Sequence, residues 1–150
     1  MSLLKKLFGN GARKFDGLSA EQDALLEQAQ RTVRNYLENG KAFPQFAMAL
    51  HSDERINSYL PSEEFSTERD ALVGILQTLI PLARSGVITA AVLVTPIAPP
   101  EGFNESAAMF DLEQRGKPRF GAVLPIRRSA SGIEYGEMTF RKMEPKLFAS

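Results

Sequence analysis

Asp111, Glu113 and Arg115 stand two residues apart in the stretch MFDLEQRGKPRFGAVLPI, and Arg119 follows after a glycine. Carboxylates so spaced on a strand have Cα atoms about 6.6 Å apart, a separation compatible with paired acid and base chemistry such as glycoside cleavage. That chemistry needs two environments that drive the pKa values apart, one buried and one solvated. Here both acids share one face of an alternating segment, with arginines at hand to keep both ionised. The pattern therefore reads as a sheet surface, solvated or facing an interface, with modest cross-strand ion pairing. Asp111, Glu113, Arg115, Arg119 and Val123 are the candidate interface residues, and no catalytic set is assigned.

His51 is the only histidine, beside Ser52 and Asp53 at the end of an alternating segment. It can orient a ligand or titrate near neutrality, while a turn histidine bonded to its neighbours is the plainer account. With Tyr59, Phe103 and Tyr135 it forms a candidate ligand-binding set for a pocket between the sheet and the second helix, because aromatic side chains commonly line such pockets. Cysteine is absent, which removes disulfides, thiolate chemistry, iron–sulfur clusters and Cys-based zinc sites. A metal site would have carboxylates around at most one imidazole, and any Ser–His or His–Asp relay could use only His51. No metal and no cofactor are expected. The glycines of FGNGARK lack both the spacing of a phosphate-binding loop and a preceding strand. The five methionines are dispersed along the chain and read as gap fillers, not as a pliable groove.

The 150 residues suit one domain, and 43% hydrophobic with 24% charged residues is the composition of an ordinary globular protein. Eighteen basic residues balance 18 acidic ones, so there is no chain-wide attraction to a phosphate backbone and nucleic acid is not expected as the principal partner. No apolar run approaches the roughly 20 residues that span a bilayer, and the N-terminus lacks the long apolar core of a secretory signal. A cytoplasmic location of bacterial type is the expectation. Residues 1–17 read as an amphipathic, basic arm. Leu3, Leu4, Leu7 and Phe8 lie on one side of a short helix and Lys5 and Lys6 on the other, so the arm can dock on a domain or meet an anionic membrane surface.

Residues 18–150 read as one domain. Ser19 followed by Gln22 is a capping-box pattern that starts a helix over 19–39, with Leu25, Leu26, Ala29, Val33, Tyr36 and Leu37 as its apolar stripe and Gly40 as its stop. From Gln45 the period changes to two, and Phe46 to Leu50 with Ile56 to Leu60 form a hairpin. SEEFSTERD supplies cap candidates for a second helix, whose stripe is Leu72, Ile75, Leu76, Leu79 and Ala83 and which Pro81 should bend or make irregular in its last turn. VITAAVLVTPI reads as a central strand covered on both faces. After the proline-rich loop APPEGFNES comes a hairpin in which Leu112 faces Ala122 and Phe110 faces Leu124, a register that lets Glu113 reach Arg119 diagonally. A last strand runs from Ile133 to Lys142, with a β-bulge expected at Gly136.

These elements predict the α+β class: a single antiparallel sheet of about five strands with two main helices in the order α-β-β-α-β-β-β. That order resembles the profilin-like group of sensor and adaptor folds, among them PAS, GAF, longin and roadblock modules, with a cystatin-like wrap as the alternative. The functional expectation is a non-catalytic module that binds a protein partner or itself as a homo-oligomer. The alternative is a small-ligand sensor or small enzyme.

Overall fold

The computed structural model describes residues 17–60 and 68–148. The arm residues Leu3, Leu4, Lys5, Lys6, Leu7 and Phe8, and the cap candidates in 62–67, lie outside the described residues. The first helix, α1 (Ala20–Glu38), starts as its sequence requires: the Ser19 hydroxyl accepts from the Gln22 N–H and the Gln22 side chain accepts from the Ser19 N–H, each at 3.0 Å. Glu21 and Asp23 place negative charge in its first turn, against the positive end of the helix dipole. At its other end Gly40 takes φ +73 and two main-chain bonds turn the chain back, from Gly40 to the Leu37 carbonyl and from Lys41 to the Tyr36 carbonyl.

Strands β1 (Phe46–His51) and β2 (Ile56–Tyr59) form the expected hairpin, and α2 (Glu68–Arg84) follows. Pro81 does not end α2; the helix runs three residues further and closes on Gly86 at φ +78. Five more strands come next in pairs and runs: β3 (Ile88–Ile97), β4 (Ala107–Gln114), β5 (Arg119–Leu124), the short β6 (Ile126–Ser129) and β7 (Gly132–Tyr135). The last is β8 (Thr139–Met143). The main sheet is antiparallel with six strands in the order β2-β1-β3-β4-β5-β8, while β6 and β7 pair only with each other. The predicted count of about five strands therefore falls one short for the main sheet and omits the small one.

Alternation sorts the side chains onto two faces, each with its own core. On one face Leu25, Leu26, Ala29, Val33 and Leu37 of α1 pack on Phe46, Met48, Val92, Val94, Phe110, Leu112 and Leu124. On the other, Ile75, Leu79 and Ala83 of α2 pack on Ala47, Ala49, Ala91 and Leu93, and Phe148 completes the cluster. β3 lies mid-sheet and contributes to both, as its nearly continuous apolar run requires.

Two expectations are corrected. The β4–β5 hairpin pairs Phe110 with Ala122 and Leu112 with Phe120, two residues from the predicted register. A turn closed by the Lys117 N–H on the Gln114 carbonyl puts Gly116 at φ +74, and only a glycine adopts that conformation without strain, so the turn centres there. A two-residue slip preserves the faces, which is why the side-chain assignment survived it. The single strand predicted over Ile133–Lys142 is two strands in two sheets. Gly136 is no bulge but the crossing point: its N–H donates to the Pro125 carbonyl at 2.9 Å, and a Cβ there would stand 2.9 Å from Phe103 Cζ and 3.0 Å from Pro125 Cβ.

Candidate functional site

Met109, Asp111 and Glu113 of β4 alternate onto the α2 face, as do Arg119, Gly121 and Val123 of β5, with Thr139, Arg141 and Met143 of β8 beside them in register. Arg119 stands across from Glu113 in the ladder but turns to Asp111, donating Nε to Oδ1 at 2.8 Å and Nη2 to Oδ2 at 2.5 Å. This is a bidentate pair with 12% and 14% of the two side chains exposed. Donation of these hydrogen bonds to the Asp111 carboxylate raises the Arg119 pKa above its already high ordinary value. Nη1 of Arg119 adds a bond to the Glu144 carbonyl at 2.6 Å.

Glu113 has a different task. Predicted on a solvated or interface-facing surface, it is only 3% exposed. Its Oε2 accepts from the Lys146 and Phe148 amides at 2.8 and 2.9 Å, and its Oε1 accepts from the Leu147 amide at 2.8 Å. The cause is the segment 144–148, which folds back after β8 and whose main-chain donors have no strand to pair with. A carboxylate satisfies three of them at once, and buried amides demand such partners. Arg115 clasps the same segment from outside: its guanidinium lies 5.2 Å from the centre of the Phe148 ring and donates to the Ala83 carbonyl at the end of α2. Asp111 and Glu113 thus border one small cavity of about 10 Å³, lined also by Leu76, Leu79, Leu93, Lys146 and Leu147. That holds about one water. Both carboxylates are committed to internal partners, and the pair is structural in what it does chemically.

Beyond this clasp the same face is open. Val123 and Met109 are half-buried, and Thr139 and Arg141 are exposed. The Met143 sulfur lies over Gly121, 2.7 Å from where a Cβ would stand, with the Met109 methyl 3.9 Å from the same point. Two methionines that sequence reading dispersed are therefore brought together by the β4-β5-β8 pairing, over a glycine that leaves them room. The glycine in mid-strand was the available clue, since such a residue marks close approach from above.

The candidate ligand set is split. His51 and Tyr59 do meet across the β1–β2 hairpin, with His51 Nε2 2.8 Å from the Tyr59 hydroxyl and the two rings nearly parallel at 6.3 Å. The Asn57 side-chain amide nitrogen lies 3.0 Å from the same Nε2. Tyr59 packs against the α2-side core. Tyr135 instead packs against the α1-side core, with the Arg34 guanidinium 5.1 Å from its ring centre. Burial raises the Tyr135 pKa, and its hydroxyl has no hydrogen-bond partner among the described residues; the nearby Arg34 charge acts in the opposite direction, favouring the phenolate. Phe103 lies against Gly136 with Arg127 at 4.9 Å over its ring. No single pocket between sheet and α2 contains all four.

Among the described residues no group of His, Asp and Glu is placed to hold a metal ion, and no helix is long and apolar enough to cross a membrane. Comparison of the chain with protein-family models, with curated proteins and with solved structures finds no match.

Proposed function

We propose that this protein is a non-catalytic interaction module that self-associates through the open part of its α2-side sheet face, centred on Val123 and Met109 and bordered by the Asp111–Arg119 pair. The observation that carries the reading is the division of labour on that face. Both acidic side chains on β4 are consumed internally, Asp111 by Arg119 and Glu113 by three amides, so neither is free to act on a substrate. What remains is a half-buried centre of Val123 and Met109 with Met143 over Gly121, bordered by exposed Thr139 and Arg141, and its methionines suit it to adapt to a protein partner.

Arg115 and Glu113 support the face from behind in this reading: they hold the 144–148 segment, which sets the border of the contact. The placement of one helix on each side of the sheet fits the profilin-like reading better than a cystatin-like wrap, in which the sheet clasps a single helix. A cytoplasmic, cofactor-free module is the setting we infer for it. The sensor alternative would place its ligand under α2, and the small cavity beside Asp111 and Glu113, of about 10 Å³, would take one only if the 144–148 segment lifted.

The test is the solution mass of the full-length protein measured across concentration. A symmetric face contact predicts a dimer whose population rises with concentration, and Val123→Asp should return it to monomer because an unpaired charge is then buried in the contact. A mass unchanged by that substitution would sink the reading.

A further inference from the structure

The two edges of the main sheet differ in charge. β2 at one edge, INSY, has no charged side chain, and β8 at the other, TFRKM, carries Arg141 and Lys142. An edge strand presents a row of unpaired main-chain donors and acceptors, and cationic side chains along it repel other cationic edges. The same charges attract an anionic strand. Lys117 in the β4–β5 turn and Lys146 after β8 are also exposed, and none of these four cations is in an ion pair among the described residues. Of the neighbouring acids Asp111 and Glu113 are already engaged, which leaves Glu144 on the 144–148 segment and Glu137, two residues before β8, exposed. Pro118 and Arg119 on one side and Arg141 to Pro145 on the other border an open concavity of about 810 Å³ at this end of the strand.

We infer that β8 is a docking edge for an acidic, extended segment of a protein partner, which adds as a seventh strand and places carboxylates on Arg141 and Lys142, one on each face of the sheet. Main-chain bonds along Thr139–Met143 supply the affinity and the cations select the sequence, the division of roles typical of strand addition. A second copy of this chain fits less well, because its β2 edge is uncharged and the nearby Asp53 already pairs with Arg55 at 2.7 Å. A nucleic acid would take the charges but would leave the edge's hydrogen-bonding groups unused. The inference goes beyond self-association through the sheet face: it concerns the edge, and either can fail alone.

The experiment is fluorescence anisotropy on full-length protein with a short labelled peptide of Val interrupted by adjacent Glu pairs, which presents carboxylates to both faces of the sheet. Comparators are the same peptide with Lys in place of Glu, an acidic version with Pro at alternate positions, and oligo-dT. The acidic peptide should bind, more weakly as salt rises. The Pro version, which cannot donate along the edge, should bind about tenfold more weakly. Arg141→Glu with Lys142→Glu should weaken binding by about tenfold or more, and Arg141→Gln with Lys142→Gln by less, each checked for unchanged thermal unfolding. Absence of binding, equal binding of the Lys or Pro peptide, tighter binding of oligo-dT, or indifference to both double variants would each overturn the inference. Displacement of the peptide by self-association of the protein would overturn it too, and would identify the occupant as a second copy.

Discussion

Replacing Glu113 with Gln tests the most specific claim made for the candidate site, that this carboxylate is an anchor for the 144–148 segment. The carboxylate accepts three amides, two on Oε2 and one on Oε1. A glutamine can set its one oxygen where two donors converge, which leaves its NH₂ facing the Leu147 amide. The Leu147 amide and the new NH₂ then face each other as donors without an acceptor, at about 1–3 kcal/mol each, and two charge-assisted bonds become neutral ones of roughly half the strength. The sum is limited from above by the cost of simply releasing the segment, which exposes Phe148 and Leu147. A loss of about 2–3 kcal/mol in unfolding free energy is therefore expected from urea denaturation, with little change in slope. Native-state hydrogen exchange gives the second readout: the amides of 146–148 should be protected in the parent and lose that protection in the variant before the central strands do. Phe148→Ala should be strongly non-additive with Glu113→Gln, by about 1 kcal/mol or more, because both act by freeing one segment. A cost below about 0.5 kcal/mol, or unprotected amides in the parent, would refute the reasoning.

Further outcomes follow from other sites. Arg119→Ala leaves Asp111 mostly buried without its partner and should cost about 3 kcal/mol, with Arg119→Lys recovering only part because one ammonium cannot replace a bidentate fork; thermal unfolding measures both. Gly136→Ala should cost about 1–3 kcal/mol, since Phe103 and Pro125 must shift, whereas Gly121→Ala should cost less than about 1, since it meets the movable end of Met143; the opposite ranking would contradict the packing described. Tyr135 has its pKa raised by burial above the ordinary 10.0, so the neutral phenol is favoured when folded. Its contribution is fully present below about pH 10 and is lost as pH rises through the folded value. Tyr135→Phe should flatten that alkaline loss and, by removing an unpartnered hydroxyl, be neutral or stabilising by up to about 1 kcal/mol at pH 7; clear destabilisation there would reveal a partner.

Local rules carried the reading of the chain a certain distance. The start of α1 was legible because a capping box acts within four residues, and β3 because a buried central strand leaves no polar alternation to misread. The faces of β4 and β5 were legible from their alternation, although their register was not, because turn geometry at Gly116 shifts partners in steps that leave faces unchanged. Gly136 was noticed as a break in alternation, but whether a glycine marks a bulge or a change of sheet depends on Phe103, more than thirty residues away. Glu113 was misplaced on an exposed surface because its partners are main-chain amides beyond β8. An amide leaves no trace in residue type, so no pattern of side chains could have pointed to 146–148.

The sequence-wide charge balance illustrates how a sum can conceal the arrangement that matters for binding. Eighteen acids and 18 bases cancel, and on that total alone an electrostatically selected partner looks improbable. Folding, however, withdraws charges unequally. Asp111 and Glu113 are taken inward and neutralised by an arginine and by peptide dipoles, while Lys117, Arg141, Lys142 and Lys146 stay in solvent at the same end of the sheet. The peptide amides that satisfy Glu113 consume no cation, so its negative charge is hidden without hiding a positive one. The local surface is left cationic in a neutral protein, with a field that acts over about a Debye length, roughly 8 Å at physiological salt. A patch of that reach selects what arrives at the β8 edge and leaves the rest of the surface indifferent. The selectivity should therefore collapse with added salt while self-association through the apolar face persists, and measuring both against ionic strength separates the two surfaces in one series.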